Sequence, residues 1–302
     1  MPLSASSPSD SLAVPPVDRA GGERDDPELL PRLRSAAGTR VLAVRRDAAP
    51  MRAGRLVFVA ADELSSVREW AFLGRDADGA AVLLAVVPDE AEDVPSPDAE
   101  WAPLRASGGD LPAAEAELLT TAVALAGWLR DAPFCPACGT RTELRHAGWS
   151  RHCPVCGREH FPRTDPAVIV LVTSAVDDRV LLGANAAWGG ERYSCFAGFA
   201  EAGESLEDAV AREVNEEANV RLRRVEYRGS QAWPYPRSLM LGFRAEVVDD
   251  AEAQADGEEI VAVRWFTRDE IGAAMRGEGV AQLPGPASIA RRLIDDWYRG
   301  VA

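Results

Sequence analysis

Apolar and polar positions alternate in short blocks along most of the chain. Between Arg40 and Val87 the blocks RVLAVR, RLVFVA, EWAFLGR and AAVLLAVV have the length and residue types of strands. The last two flank DADG, whose Asp78-Gly79 pair marks a hairpin turn. A linker rich in Pro, Asp and Glu follows. The period then changes: Leu118, Ala122, Leu125 and Leu129 share one face of a helix over about 113–130. Further along, PAVIVLV (166–172) is an unbroken apolar strand, and a turn at Asp177-Asp178 leads into RVLLGA. RYSCFAGF, VRLRRVEYRG, SLMLGFRAEVV and EIVAVRWF read as further strands, with helices predicted over 205–218, 268–276 and 287–299. This order predicts a small N-terminal α+β domain and, after it, a mixed sheet with helices on both sides.

Composition narrows the choice. The first 27 residues are rich in Ser, Pro, Asp and Gly and are expected to be a disordered tail. They carry neither a basic start nor an apolar core of the kind a signal peptide needs. The longest apolar stretch, Ala80 to Val87, is too short to span a bilayer. The chain of 302 residues has a net charge of −15, and all 33 of its basic residues are arginine. An acidic surface disfavours sequence-independent binding of nucleic acid, yet suits a small anion held through a metal ion. Four of the five cysteines form two C-x2-C pairs, which points to metal ligation in a reducing compartment. The expectation is a cytoplasmic protein without a membrane segment.

Cys135, Cys138, Cys153 and Cys156 set two knuckles fourteen residues apart, each followed by a glycine, Gly139 and Gly157. Two such knuckles supply the four-sulfur shell that Zn2+ prefers. The shell is closed, so one structural zinc per chain is expected. His152 and His160 are surplus to it and read as surface residues, and Cys195 reads as core.

The segment GFAEAGESLEDAVAREVNEEANV (198–220) is the most informative. Ser205, with Asp208 three residues later, opens a helix. At about 100° per residue, Glu213, Glu216 and Glu217 fall in one sector with Leu206, Ala209 and Val210, the side that the helix buries. Carboxylates gathered on an inward face repel one another and lose hydration unless a cation joins them. Hard oxygen ligands favour Mg2+ or Mn2+. Arg212 is placed to pair with Glu204 and hold the preceding loop.

These residues match G-x5-E-x7-R-E-U-x-E-E-x-G-U, where U is aliphatic, and so resemble the Nudix hydrolases. Gly198, Glu204, Arg212, Glu213, Val214, Glu216, Glu217 and Val220 are in register, and Asn219 replaces a glycine. That position calls for a left-handed backbone, which Asn tolerates best after Gly. The four-cysteine module before this segment, FPRTDPAVIV (161–170) and SQAWPYPRS (230–238) are similar to the NADH pyrophosphatase branch, with Ala232 and Tyr235 departing from its SQPWPFPxS. The resemblance implies a Nudix α/β/α sandwich with a mixed sheet, so the fold class is α+β. The expected order is a tail (1–27), the N-terminal α+β domain (28–132), a zinc ribbon (133–162) and the Nudix domain (163–302).

The resemblance further implies hydrolysis of the diphosphate bond of NADH and NAD+ to nicotinamide mononucleotide and AMP, and removal of NAD caps from RNA 5′ ends. The carbonyl of Ala197 and the carboxylates of Glu213, Glu217 and Glu259 would hold Mg2+ or Mn2+, with Glu216 as ligand or base. Gln231, Ala232, Trp233, Pro234, Tyr235, Pro236, Arg237 and Ser238 would line the substrate site. Phe161 and Phe199 would stack on nicotinamide, and the carbonyl of Ala290 would contact substrate. Family members are homodimers with sites drawn from both subunits, so Phe161 would serve the other subunit's site. Two other readings stand beside this one: a Nudix hydrolase of another nucleoside diphosphate derivative such as ADP-ribose, and a non-enzymatic zinc-ribbon binding module.

Overall fold

The computed structural model describes residues 17–90, 94–189, 191–279 and 281–301. They fall into two compact units. The first runs to Thr164 and also takes in Pro234–Arg237; the second comprises Asp165–Trp233 and the chain from Ser238 onward.

In the first unit, α1 (Leu29–Ser35) precedes β1 (Arg40–Val44), β2 (Ala48–Arg52), β3 (Arg55–Leu56), β4 (Glu69–Arg75), β5 (Ala81–Val86) and β6 (Glu100–Pro103). Then come α2 (Leu104–Ser107) and α3 (Ala113–Asp131). β5 is central, parallel to β1 and antiparallel to β4, and every one of its residues is buried. Leu83 and Ala85 join Leu29 and Leu33 of α1 in one core, while α3 packs on the same three strands. The predicted hairpin is present: Gly79, with φ 80°, returns its N–H to the Asp76 carbonyl at 2.9 Å.

The tail expected over 1–27 needs correction. Residues 1–16 lie outside the described residues, but 17–27 are folded. Asp18 bridges to Arg75 and Gly21–Asp25 form a 3-10 turn. A charged, Gly-rich run is ordered here because Glu23 makes two bonds to Arg75, at 2.6 and 2.7 Å.

The cysteine module folds as β7 (Glu143–Arg145), β8 (Ser150–His152) and β9 (Glu159–His160) in an antiparallel sheet. Arg151 is fully buried, donating to the Glu69 carboxylate at 3.1 Å and the Leu129 carbonyl at 2.8 Å. His152 and His160 are half-buried, not surface residues. Nδ1 of the first and Nε2 of the second are enclosed without a hydrogen-bond partner.

The second unit holds β10 (Asp165–Thr173), β11 (Arg179–Asn185), β12 (Phe196–Phe199), α4 (Leu206–Ala218), β13 (Leu222–Trp233), β14 (Ser238–Val247), β15 (Ile260–Thr267), α5 (Arg268–Met275) and α6 (Ile289–Tyr298). Its mixed sheet has the order β13-β14-β10-β11-β15. β10 and β14 are parallel from Asp165↔Ser238 to Thr173↔Glu246. β12 lies against the first half of β10, and β11 meets only its end, at Val172↔Leu181 and Thr173↔Val180. The unbroken apolar run of β10 follows from burial on both faces. Val168, Val170 and Val172 pack with Ala209, Val210 and Val214 of α4. Ile169 and Leu171 pack with Leu293 and Ile294 of α6. Of the predicted strand RYSCFAGF, Phe196–Phe199 form β12 and Ser194 makes an isolated antiparallel bridge to Gly183 of β11; Cys195 is core, its thiol pushed up to about 12 by burial.

Candidate active site and zinc-binding module

The two cysteine knuckles are built alike. Gly139 donates to the Cys135 carbonyl at 2.8 Å and Gly157 to the Cys153 carbonyl at 3.0 Å, with φ of 73° and 72°. A side chain is disfavoured at such angles, which accounts for glycine at both places. The four sulfurs all lie within 4.8 Å of one another. Cys135 and Cys156 are 3.6 Å apart, and Cys138 and Cys153 3.4 Å. A tetrahedron with Zn–S bonds of about 2.3 Å has S–S edges of about 3.8 Å, so the donor set fits zinc with little rearrangement. The Cys138 thiol is pushed down to about 6, first by the Thr140 hydroxyl, then by the Thr140 backbone N–H and Cys153.

The carboxylate site grows from the start of α4. The Ser205 hydroxyl accepts the Asp208 N–H at 3.1 Å, as the capping pattern predicts. The helix ends at Asn219, left-handed at φ 53°, ψ 35°. Between them Arg212 forms a hub. It makes two bonds to Glu204, at 2.8 and 2.9 Å, one to Glu213 at 2.9 Å, one to Glu216 at 3.1 Å and one to the Phe199 carbonyl at 2.9 Å. The guanidinium pulls the Glu204 carboxyl down to about 2 and ties the loop after β12 to the helix. Gly198 makes this approach possible, since a Cβ there would stand 2.0 Å from the Glu213 carboxyl carbon.

The helix does not treat its three glutamates alike. Glu217 is buried, the Glu213 side chain is 13% exposed and that of Glu216 is 61% exposed. The expectation that all three continue the inward stripe is corrected for Glu216. The buried arc centres on Val210 and Glu217, and Glu216 lies at its rim, about 100° from Glu217.

Glu217 is the unsettled group. Its Oε2 is enclosed with no hydrogen-bond partner. Burial, then the charges of Glu259 and Glu213, push its carboxyl up to about 8, against an opposing Ala197 backbone N–H. Burial also raises Glu213, although Arg212 opposes it. Two crowded carboxylates and an orphaned oxygen fit a divalent cation, whose charge would remove both penalties. The glutamate oxygens are more loosely spaced than the sulfurs: among the described residues, the four cysteines are the group of at least three His, Cys, Asp or Glu ligands within 4.8 Å of one another.

The remaining expected site residues are spread over both units. Ala197 lies in β12 opposite Ile169, and Phe199 ends that strand 55% exposed. Glu259, exposed, immediately precedes β15. Gln231 is buried and its amide spans Ala287 and Ile289: Nε2 donates to the Ala287 carbonyl at 2.8 Å and Oε1 accepts the Ile289 N–H at 2.8 Å. Its side chain thus fixes the entry to α6. Ala232 is exposed, Trp233 half-buried and Ser238 buried, on β13 and β14. Pro234, Tyr235, Pro236 and Arg237 belong to the first unit, where Arg105 lies 4.4 Å over the Tyr235 ring and burial raises the Tyr235 hydroxyl. Phe161, in the same unit, is 51% exposed. Ala290 is buried, with Cys195 Sγ 3.8 Å from its carbonyl. Sequence reading did not single out Asn185, which contacts Glu259; a single polar residue closing an apolar strand carries no pattern.

Comparison with known proteins places these features together in one family. Residues 163–283 match the NUDIX domain, residues 130–161 the NADH pyrophosphatase zinc ribbon domain, and residues 23–128 the NADH pyrophosphatase-like rudimentary NUDIX domain. The chain is 41% identical to the NAD-capped RNA hydrolases NudC of Mycobacterium tuberculosis and Mycobacterium bovis, over 94% of this chain and 95% of theirs. It is also 41% identical to NudC of Pseudomonas aeruginosa, over 68% of this chain and 69% of that protein. A solved NUDIX hydrolase from Nitrosomonas europaea matches with 28% identity and a TM-score of 0.35, over 50% of this chain and 96% of that one. The chain belongs to the NADH pyrophosphatase branch of the Nudix hydrolases, the family of the NAD-capped RNA hydrolases NudC.

Proposed function

We propose that the protein hydrolyses the diphosphate bond of NADH and NAD+ to give the nicotinamide mononucleotide and AMP, and removes NAD caps from RNA 5′ ends. The observation that carries this reading is the buried, unpartnered Glu217 oxygen beside Glu213 and Glu259, on a helix with the family's motif. Glu213, Glu217, Glu259 and the Ala197 carbonyl would hold Mg2+ or Mn2+. Such an ion, when bound, neutralises diphosphate charge and lowers the pKa of an attacking water.

The chain's own residues do the rest. Arg212 fixes the loop and Glu213 in place, so the site is organised before substrate arrives. Glu216, at the rim and in solvent, is the carboxylate best placed to take a proton from water. Phe199 offers an exposed ring for stacking on nicotinamide. Gln231 positions α6, and with it Ala290. Ala232, Trp233 and Ser238 on the strands, and Phe161, Pro234, Tyr235, Pro236 and Arg237 by the family's pattern, serve substrate binding. In the ribbon, zinc acts on folding alone. The assembly is a cytoplasmic homodimer in this reading; no helix among the described residues is long and apolar enough to cross a membrane. Incubation with NADH and Mg2+ or Mn2+, followed by product identification, tests the proposal.

A further inference from the structure

Glu259 differs from its fellow carboxylates in its support. Glu213 and Glu217 stand on a packed helix, whereas Glu259 is exposed in the bend before β15. A long side chain in such a place has several rotamers to lose before it can serve a site. The strand beside it supplies the restraint. β11 and β15 pair in step from Arg179↔Thr267 to Ala184↔Ala262, then slip by one residue so that Asn185 faces Ile260. Irregularities of this kind re-aim a side chain at the end of a ladder.

Three bonds lie at the slip. The Ala186 N–H donates to the Glu259 carbonyl at 2.9 Å and fixes its backbone. Asn185 Oδ1 accepts the Ala187 N–H at 2.9 Å, which sets the amide's orientation, since only the oxygen can accept. Nδ2 is thereby turned to donate to Glu259 Oε1 at 3.3 Å. Among the described residues, the bond from Asn185 engages Oε1 of Glu259, and its second carboxylate oxygen is left for another partner.

We infer that Asn185 is a positioning residue of the divalent-cation site, orienting the Glu259 carboxylate toward Glu213 and Glu217 through the Nδ2–Oε1 bond. The inference rests on the cation-binding role proposed above for these glutamates. Partners of this kind, bonded to a ligand and not to the metal, typically affect metal affinity or activity by about 10- to 100-fold.

Two substitutions separate this role from simple support of the turn. Asn185→Ala removes both side-chain bonds. Asn185→Ser keeps a hydroxyl able to accept the Ala187 N–H but is too short to reach Glu259. The measurement is Mn2+ binding to the zinc-loaded full-length protein without substrate, by calorimetry, alongside the Mn2+ concentration needed for NADH hydrolysis. Both variants are expected to weaken Mn2+ binding about tenfold or more and to raise the Mn2+ requirement equally, with zinc content and thermal midpoint near wild type. Wild-type Mn2+ affinity in Asn185→Ser overturns the inference, including the case where Asn185→Ala alone is weakened, because the turn would then account for the effect. A wild-type protein that binds no Mn2+ and leaves NADH intact would instead overturn the reading of the site itself.

Discussion

At the scale of single residues, the site is marked by one carboxyl oxygen, Glu217 Oε2, that the fold encloses without a partner. The folded Glu217 carboxyl is raised to about 8, whereas an unfolded glutamate titrates near about 4.3. At low pH both forms hold the proton and nothing is lost. As pH rises through about 4–8, the unfolded chain releases its proton first, so the stability contribution declines across that window. In protein free of Mg2+ and Mn2+, Glu217→Gln is therefore expected to flatten the fall in stability between about pH 5 and 8. Denaturant melts across that range check it; an unchanged slope contradicts the account. The same variant should lose more than about tenfold in kcat for NADH, a barrier increase above about 1.4 kcal/mol. Gly198→Ala places a methyl group where the Glu213 carboxyl now lies, so kcat should fall by about a hundredfold while the thermal midpoint shifts little. Stopped assays beside a thermal melt separate the two effects.

At the scale of elements, the ribbon is tied to the body of the first unit by the buried Arg151 and by Trp149, whose Nε1 donates to the Phe72 carbonyl at 2.7 Å. Arg151→Ala leaves the Glu69 carboxylate and the Leu129 carbonyl without their donor and should cost about 3 kcal/mol. Cys153→Ser should lower the thermal midpoint and the zinc content together; metal analysis of wild-type protein is expected to give one zinc per chain. Much of this level was legible in the sequence. The helix predicted at about 113–130 is Ala113–Asp131, and that at 205–218 is Leu206–Ala218, because periodic apolar faces and a Ser N-cap are local signals. The knuckles were legible because sulfur spacing fixes their geometry. Less legible was whatever tertiary packing decides. Gly21–Asp25 fold because Arg75, far along the chain, receives Glu23. Glu216 faces water because the buried arc of α4 is set by the sheet beneath it. The Asn185–Glu259 contact depends on a slip in strand register that no periodicity announces.

At the scale of the whole molecule, two compact units each have a core and a chemistry of their own, cysteine sulfurs in one and glutamate carboxyl groups in the other. If capped RNA is a substrate as proposed, the net charge of −15 argues for engagement mainly at its 5′ end and not along its backbone. Preference for NADH over ADP-ribose should then rest on the nicotinamide ring. Stacking contributes about 0.5–1.5 kcal/mol per aromatic pair, so kcat/KM should favour NADH by about tenfold, and Phe199→Ala should shrink that ratio. Equal efficiency on both substrates would leave the Nudix chemistry in place and remove the NADH assignment. The most direct measurement is product analysis after incubating the purified protein with NADH and Mg2+ or Mn2+. Equimolar reduced nicotinamide mononucleotide and AMP, abolished in Glu217→Gln, is the predicted result; intact NADH, or cleavage that persists undiminished in Glu217→Gln, would contradict the account.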